Sequence, residues 1–113
     1  MPWVYDPQSG GSKIPSNMHE SICKQVEAYA RARPWYPRIQ LKLRFKTQFC
    51  YIDTVEEGDV RHFPLCRLRH FSNDWSLALF TYSNERYEPC FLSNGKWTGT
   101  LEEALKTSEA FIV

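Results

Sequence analysis

The sequence predicts an α+β domain: an antiparallel sheet of four to five strands with an N-terminal and a C-terminal helix packed on one face. Three observations predict this fold. Apolar residues recur at helical spacing over residues 18–30, alternate with polar residues over 38–46, and are followed near residue 100 by a second helix-start pattern. The order helix, strands, helix, with short connections throughout, is typical of helices gathered on one face of an antiparallel sheet.

The first helix is predicted to begin at Asn17 and to end near Arg33. Asn17 stands three residues before Glu20, a spacing at which cap side chains satisfy the free N–H groups of a first helical turn. Pro34 ends the helix, because the residue before a proline is disfavoured in helical conformation. The apolar stripe of this amphipathic helix consists of Met18, Ile22, Cys23, Val26, Tyr29 and Ala30.

Strands are predicted to follow this helix. The first, residues 38–46, alternates most clearly, and the second, 49–55, follows after a short turn, so we expect an antiparallel hairpin. The remaining strands span residues 65–71, 75–82 and 87–92. The fourth strand is almost entirely apolar, which favours a central position. Pro89 favours an edge position for the fifth, because proline cannot donate to a strand ladder.

Thr100 is predicted to begin the second helix. With Glu103 three residues later it matches a capping box, in which each side chain accepts a hydrogen bond from the other residue's backbone N–H. Leu101, Ala104 and Leu105 then share one face of this short helix.

The length of 113 residues predicts a single domain over residues 1–113. Apolar residues make up 42% and aromatic residues 15% of the chain, which indicates a folded core. Residues 1–15 are predicted to form an N-terminal aromatic arm and turn, in which a glycine pair bends the chain toward Ile14 at the helix entry. Trp3 and Tyr5 in this arm are expected to pack against the domain or across a dimer.

The charge balance excludes a global electrostatic field. Fourteen basic and thirteen acidic residues give a formal charge of +1, so any role in binding nucleic acid must depend on local charge. No apolar run approaches the about 20 residues of a membrane-spanning helix, and no basic segment followed by a hydrophobic stretch opens the chain. We therefore expect a cytoplasmic protein that does not bind membranes.

The four cysteines are predicted to be reduced and mostly buried. They are irregularly spaced, without a C-x-x-C pair, and too few for a disulfide scaffold. They are Cys23, Cys50, Cys66 and Cys90. None can be assigned to a particular base from the sequence, so their reactivity stays open.

His62, Cys66 and His70 recur every four residues, a spacing that would gather metal ligands on a helix. On a strand, four residues cover about 13 Å, whereas zinc ligands approach the ion within about 2.3 Å. No metal site and no cofactor are therefore predicted. The paired acids lie in a predicted loop, at Glu56, Glu57 and Asp59, or at a predicted helix start, at Glu102 and Glu103, and the glycines form no P-loop. These patterns favour binding over catalysis and assign no catalytic residue.

Basic residues align on one face of the first and third predicted strands. They are Arg38, Lys42, Arg44, Lys46, Arg67 and Arg69. The register of the hairpin decides whether Phe49 and Tyr51 join them. A two-residue loop at residues 46–47 puts both rings on the basic face, with Phe49 opposite Arg44, and makes a platform for stacking. A three-residue loop puts Phe45 opposite Phe49 and sends both rings into the core.

Several short motifs together carry a resemblance to a known family. They are MPWVYDPQSGG-x-K-I-P, QFCYID, LCRLR, WSLALFTYS-x-E-x-YEPC and G-x-W-x-GT-x-EEA. Their combination resembles a family of small uncharacterised bacterial proteins, many of which begin MPWVYDPxSGG. The resemblance spans nearly the whole chain and implies a bacterial, cytoplasmic protein with one self-contained domain. The family has no known activity, so the resemblance implies no functional residues.

Three functions fit the sequence. The first, which we favour, is a non-enzymatic domain that binds a protein partner or its own second copy through exposed aromatic residues, namely Trp3, Tyr5, Trp35, Tyr36 and Trp97. The second is binding of single-stranded RNA or DNA through Lys42, Arg44, Phe49, Tyr51, Arg67 and Arg69. The third is a small enzyme or ligand pocket lined by Trp75, Tyr82, Tyr87 and Glu88.

Overall fold

The computed structural model describes residues 10–112. In chain order its elements are α1 (Ser16–Arg31), β1 (Ile39–Lys46), β2 (Phe49–Glu56), β3 (Phe63–His70), β4 (Trp75–Thr81), β5 (Arg86–Cys90), β6 (Thr98–Gly99) and α2 (Leu101–Glu109). The predicted α+β fold is confirmed, because one antiparallel sheet carries both helices. The sequence pattern does not predict β6, which has only two residues. Within the described part of the chain, no helix is long and apolar enough to cross a membrane.

The sheet is a meander. Its first five strands lie in the order β1-β2-β3-β4-β5, so each pairs with its neighbour in the chain. β6 returns to pair with the start of β4, where Gly99 lies opposite Trp75. The interior position predicted for the fourth strand and the edge position predicted for the fifth are both confirmed.

The β1–β2 hairpin turns at Thr47 and Gln48. Lys46 pairs with Phe49, and Arg44 pairs with Tyr51. Thr47 supports the turn with a φ of 51°, in the left-handed region that few non-glycine residues adopt. The two-residue loop expected at residues 46–47 is therefore displaced by one position, and the three-residue alternative is wrong. Moving a two-residue turn by one position changes the cross-strand partners but keeps each side chain on its side, so both rings lie with the cations.

The hydrophobic core lies between the sheet and the helices. Its main helix residues are Ile22, Val26, Ala30, Leu101, Ala104 and Leu105, and its main strand residues are Cys50, Ile52, Cys66, Leu68, Leu77 and Leu79. A β-bulge between Ile52 and Asp53 leaves Leu65 as an extra residue on β3, and Leu65 is buried in the same core. Full burial of each such aliphatic side chain contributes about 1.5–3 kcal/mol. The helices thus cover one side of the sheet.

The two helices begin in different ways. α1 begins at Ser16 with Pro15 in the cap position, and no side chain caps it. The prediction that Asn17 caps this helix is therefore wrong, because Asn17 already lies inside the first turn. At α2 the predicted capping box is confirmed: Thr100 accepts from the Glu103 N–H, and the Glu103 side chain accepts from the Thr100 N–H.

Residues 10–15 lead into α1 past the end of β3. Gly11 has a φ of 101° and lies so close to this strand that a Cβ atom would stand 2.9 Å from the His70 carbonyl oxygen. Ile14 is buried at the helix entry. The remainder of the predicted arm, residues 1–9, lies outside the described residues.

Candidate nucleic-acid interface

The side of the sheet opposite the helices combines cations with aromatic rings, and we call it the cation–aromatic face. It consists of Lys42, Arg44 and Lys46 on β1, Phe49, Tyr51 and Asp53 on β2, Arg67 and Arg69 on β3, Phe80 on β4 and Tyr87 on β5. These residues share a side because side chains alternate along a strand. Their strand neighbours, such as Cys50 and Leu68, are buried in the core on the other side.

Strand register arranges the centre of this face in two rows. From β1 to β3 the rows are Arg44–Tyr51–Arg67 and Lys46–Phe49–Arg69. Each row therefore has a ring between two cations. The six residues that the sequence suggested for binding nucleic acid all lie on this face.

Two guanidinium groups lie over the Phe49 ring. The guanidinium carbon of Arg67 is 4.7 Å from the ring centre, and that of Arg69 is 4.6 Å from it. Arg67 also lies 5.4 Å from the centre of the Tyr87 ring. Cations within about 6 Å of a ring centre are attracted to its electron-rich face. The rings therefore hold these charged groups in place.

The rings of the face also contact one another across the sheet. The centres of Tyr51 and Tyr87 are 5.5 Å apart in an edge-to-face arrangement, and those of Tyr87 and Phe80 are 5.1 Å apart. Arg44 lies 5.0 Å from the Tyr51 ring centre. Edge-to-face packing is a favoured geometry for aromatic pairs, so the rings form a fixed cluster.

The cations of the face differ in how accessible they are. Those on β1 are exposed, namely Lys42, Arg44 and Lys46, whereas Arg67 is half-buried. Arg69 is only 6% exposed, and its Nη1 donates to the Gly10 carbonyl oxygen at 2.8 Å. Strand β1 therefore offers charge to a ligand, while Arg69 fixes the neighbouring ring and the entry segment.

Asp53 is a buried carboxylate at one end of the face. It is 4% exposed and accepts hydrogen bonds from Nε and Nη2 of Arg44 at 3.2 and 3.3 Å. His62 Nδ1 lies 3.8 Å from the same carboxylate. Sequence reasoning did not identify the ion pair between Arg44 and Asp53, although a charged residue inside the apolar run of β2 was a signal for it. Asp53 partly neutralises Arg44 and holds its guanidinium over the face.

Two tyrosine hydroxyls lie near Asp53. Burial raises the pKa of Tyr87, and the negative charge of Asp53 raises it further. The pKa of Tyr82 is raised by the same two causes, and its hydroxyl donates to the Pro64 carbonyl oxygen at 2.7 Å. The Tyr82 hydroxyl therefore acts as a hydrogen-bond donor, whereas Arg44 hydrogen bonds to Tyr87 and acts to lower its pKa.

Of the aromatic residues predicted for a protein interface, Trp35 belongs to the core. It is 6% exposed, and its Nε1 donates to Glu109 Oε2 at 2.9 Å. Tyr36 is half-buried and packs against the same core. The predicted contact surface is thus not available at Trp35, because its ring and its polar atom are both used inside the domain. Trp3 and Tyr5 lie outside the described residues.

Trp97 lies in the connection between β5 and β6. It is half-buried, and its ring stacks on Phe91 with the centres 4.0 Å apart. Phe91 is 52% exposed. This stack leaves some aromatic surface at the protein exterior.

The four residues predicted to line a pocket are not brought together, because they lie on different sides of the sheet. Trp75 is 7% exposed on the helix side, where its ring contacts His70. Tyr87 belongs to the opposite side, and Tyr82 is 58% exposed. Glu88 accepts a hydrogen bond from Arg86 at 3.3 Å. The sheet therefore separates Trp75 from the tyrosines.

Among residues 10–112, no three His, Cys, Asp or Glu side chains are grouped so that they could hold a metal ion. Searches against family models, curated proteins and solved structures give no match to this chain. The family resemblance seen in the sequence therefore stays a prediction. Any functional proposal must depend on the geometry of the chain itself.

Proposed function

We propose that this protein binds single-stranded nucleic acid on the cation–aromatic face. The observation that carries the proposal is the pair of rows in which a ring lies between two cations. Proteins that bind single strands combine a positive surface for the phosphates with aromatic rings on which bases stack. The same elements occur here on the side of the sheet that the helices do not cover.

The charge of this face favours an anionic ligand. The residues assigned to this face include one carboxylate, that of Asp53. They include five cations: Lys42, Arg44, Lys46, Arg67 and Arg69. Asp53 already contacts Arg44, which leaves a local positive excess in a chain with a formal charge of only +1. If two copies of the protein met through this surface, their cations would lie close together and repel each other. A phosphate backbone would instead neutralise them.

The half-buried rings suit stacking without strict base selection. Tyr51 and Tyr87 are held by their mutual contact and are partly exposed. Every base has a face that can stack on a ring, and each such stack contributes about 1–3 kcal/mol. Because the rings are already fixed, little side-chain entropy is lost on binding. We therefore propose binding that tolerates many sequences.

The test is fluorescence anisotropy with a short mixed-sequence oligonucleotide over a range of salt concentrations. Affinity should fall steeply as salt rises. Replacing both Lys42 and Lys46 by glutamine should lower the slope of log affinity against log salt by about 0.7 for each lost cation. Tyr51→Leu should weaken binding about 5- to 150-fold, the range that corresponds to one lost stack.

The matched control removes two exposed cations from the helices. Lys24→Gln combined with Lys106→Gln makes the same change in net charge away from the face. Its affinity and salt slope should equal those of the unchanged protein. Absence of binding at low salt, or equal losses in both double variants, would refute the proposal.

A further inference from the structure

Among residues 10–112, strand β1 forms one edge of the sheet and pairs with β2 alone. In an antiparallel pair, alternate residues bond to the partner strand, and the residues between them direct N–H and C=O away from it. Two observations assign the bonded set to even-numbered residues: Lys46 and Phe49 flank a two-residue turn, and the Glu57 N–H donates to the Arg38 carbonyl oxygen. The outward-facing groups are therefore those of Leu41, Leu43 and Phe45.

The opposite edge, β5, is a poorer template for another strand. It spans only five residues, and one of them is Pro89, which has no N–H to donate. β1 spans eight residues and contains no proline. An edge of this length that no described residue pairs with is a site at which an extended chain can add by backbone hydrogen bonding.

A groove of about 210 Å³ runs beside this edge on the helix side. Its apolar wall combines α1 and β1, and includes Cys23, Val26, Ala30, Tyr36, Leu41 and Leu43. A water molecule occupies about 30 Å³ in the liquid, so the groove can receive a branched apolar side chain. Because side chains of an added strand alternate, every second one would point into this groove.

The other side chains of an added strand would meet the exposed cations of β1, which are Lys42, Arg44 and Lys46. Two β1 strands from separate copies would bring these cations together, and like charges on paired strands are destabilising. Charge thus disfavours a second copy and favours an acidic partner. We propose that the β1 edge binds an extended peptide in which acidic residues alternate with apolar ones.

This inference shares the β1 cations with the proposed nucleic-acid surface, but its backbone edge and helix-side groove are separate from that surface, so it does not depend on nucleic-acid binding. The probe is a synthetic peptide that alternates glutamate and valine. Its matched control carries N-methyl groups on alternate residues, at the positions whose N–H groups would face β1. N-methylation keeps the side chains and charges of the peptide and removes the backbone donors that face β1, so it should weaken binding on the order of tenfold or more, equivalent to the loss of one or two hydrogen bonds.

Hydrogen exchange gives a second readout at the predicted residues. Binding of the unmodified peptide should slow exchange at the amides of Leu41, Leu43 and Phe45. A peptide held only by charge would leave these amides unprotected. Cys23→Phe should block the groove and lower affinity, since Cys23 is exposed and lines it, whereas Ser21→Phe on an exposed part of the same helix should not.

Three results would overturn the inference: equal binding of the two peptides, unchanged exchange at the three β1 amides, or a dimer of the peptide-free protein that protects them. The last would make a second copy the occupant of the edge. The oligonucleotide assay is read separately, so either surface can fail while the other holds.

Discussion

Arg67 and Phe49 lie on neighbouring strands, with the guanidinium carbon of Arg67 4.7 Å from the centre of the Phe49 ring. They are diagonal neighbours, because Arg67 pairs directly with Tyr51 and Phe49 pairs with Arg69. The contact therefore links the two rows of the cation–aromatic face. It also means that a charged group and a ring of the proposed binding surface are held together in the protein alone.

We expect this contact to contribute about 0.5–1 kcal/mol of coupling energy, the range for cation–π pairs that keep some exposure. A double-mutant cycle with Arg67→Met and Phe49→Leu measures it, since both replacements keep the apolar volume near the sheet. Urea unfolding of the four proteins gives the coupling. The same cycle with Lys106→Met in place of Arg67 should give no coupling, because Lys106 is on α2. Equal values in both cycles would contradict the prediction.

Glu109 joins the C-terminal helix to the end of α1, and its removal should destabilise the domain. Its carboxylate accepts hydrogen bonds from the Tyr29 hydroxyl, from Arg33 and from the Trp35 indole. Glu109→Gln should lower the free energy of unfolding by about 1–3 kcal/mol, because partly buried donors lose a charged acceptor. Glu20→Gln is the control, since Glu20 is 80% exposed and should change stability little.

The pH dependence of this effect has a definite sign. Burial acts to raise the pKa of Glu109, but its hydrogen bonds outweigh burial and hold the pKa below its usual value. A carboxylate with a depressed pKa in the folded state stabilises the fold above its unfolded-state pKa and loses this contribution as pH falls through the folded pKa. The stability difference between the unchanged protein and Glu109→Gln should therefore shrink below about pH 4. A difference that stayed constant on acidification would contradict this assignment.

Gly11 should resist substitution more strongly than another glycine of the same conformation. Both Gly11 and Gly58 have positive φ, but only Gly11 lies against backbone, with the His70 oxygen 2.9 Å from the position of a Cβ. Gly58→Ala should cost about 1–2 kcal/mol for the left-handed conformation alone. Gly11→Ala should cost more, and thermal unfolding of both variants compares them. Equal melting temperatures would show that the entry segment can move away from β3.

The helix caps offer a matched pair of substitutions. Thr100→Ala removes an observed cap and should lower stability by about 0.5–2 kcal/mol, whereas Asn17→Ala removes a side chain that does not cap α1. Chemical unfolding of the two variants tests the difference. A loss at Asn17 as large as that at Thr100 would restore the sequence-based assignment of the cap.

The cysteines should react in an order set by burial. Burial raises the pKa of the Cys66 thiol to about 12 and also raises that of Cys50. Neither should react with a thiol reagent in the folded protein, because the thiolate is the reactive form. Cys23 is exposed and should be labelled first. Mass spectrometry of labelled peptides gives the order, and labelling of Cys66 before unfolding would contradict it.

The faces of the strands could be predicted from alternation, but their exact partners could not. Thr47 adopts positive φ without the Asn-Gly or Asp-Gly signal that marks most such turns. Arg44 therefore pairs with Tyr51 instead of Phe49, while the side of each residue is unchanged. A pattern of period two determines the side of a residue, whereas its partner depends on the turn.

Some contacts join residues that are distant in the chain, and the sequence around those residues gives no pattern that predicts the contact. The sequence predicts Trp35 at an interaction surface, because aromatic residues are enriched at interfaces. The Trp35 N–H is instead satisfied by Glu109, 74 residues later, and this makes burial possible. The contact between Asp53 and His62 was missed for a similar reason, because the loop that carries His62 has no periodic pattern that would place its side chains.

The meander has a consequence for how the domain assembles. Because each of the five main strands pairs with its chain neighbour, every hairpin can form by closing a short loop, at a small cost in chain entropy. The longest loop is closed when the C-terminal segment docks, because Glu109 contacts Trp35, which lies 74 residues earlier in the chain. The sheet can therefore form before α2 docks, and a nascent chain can build its strands in order of synthesis.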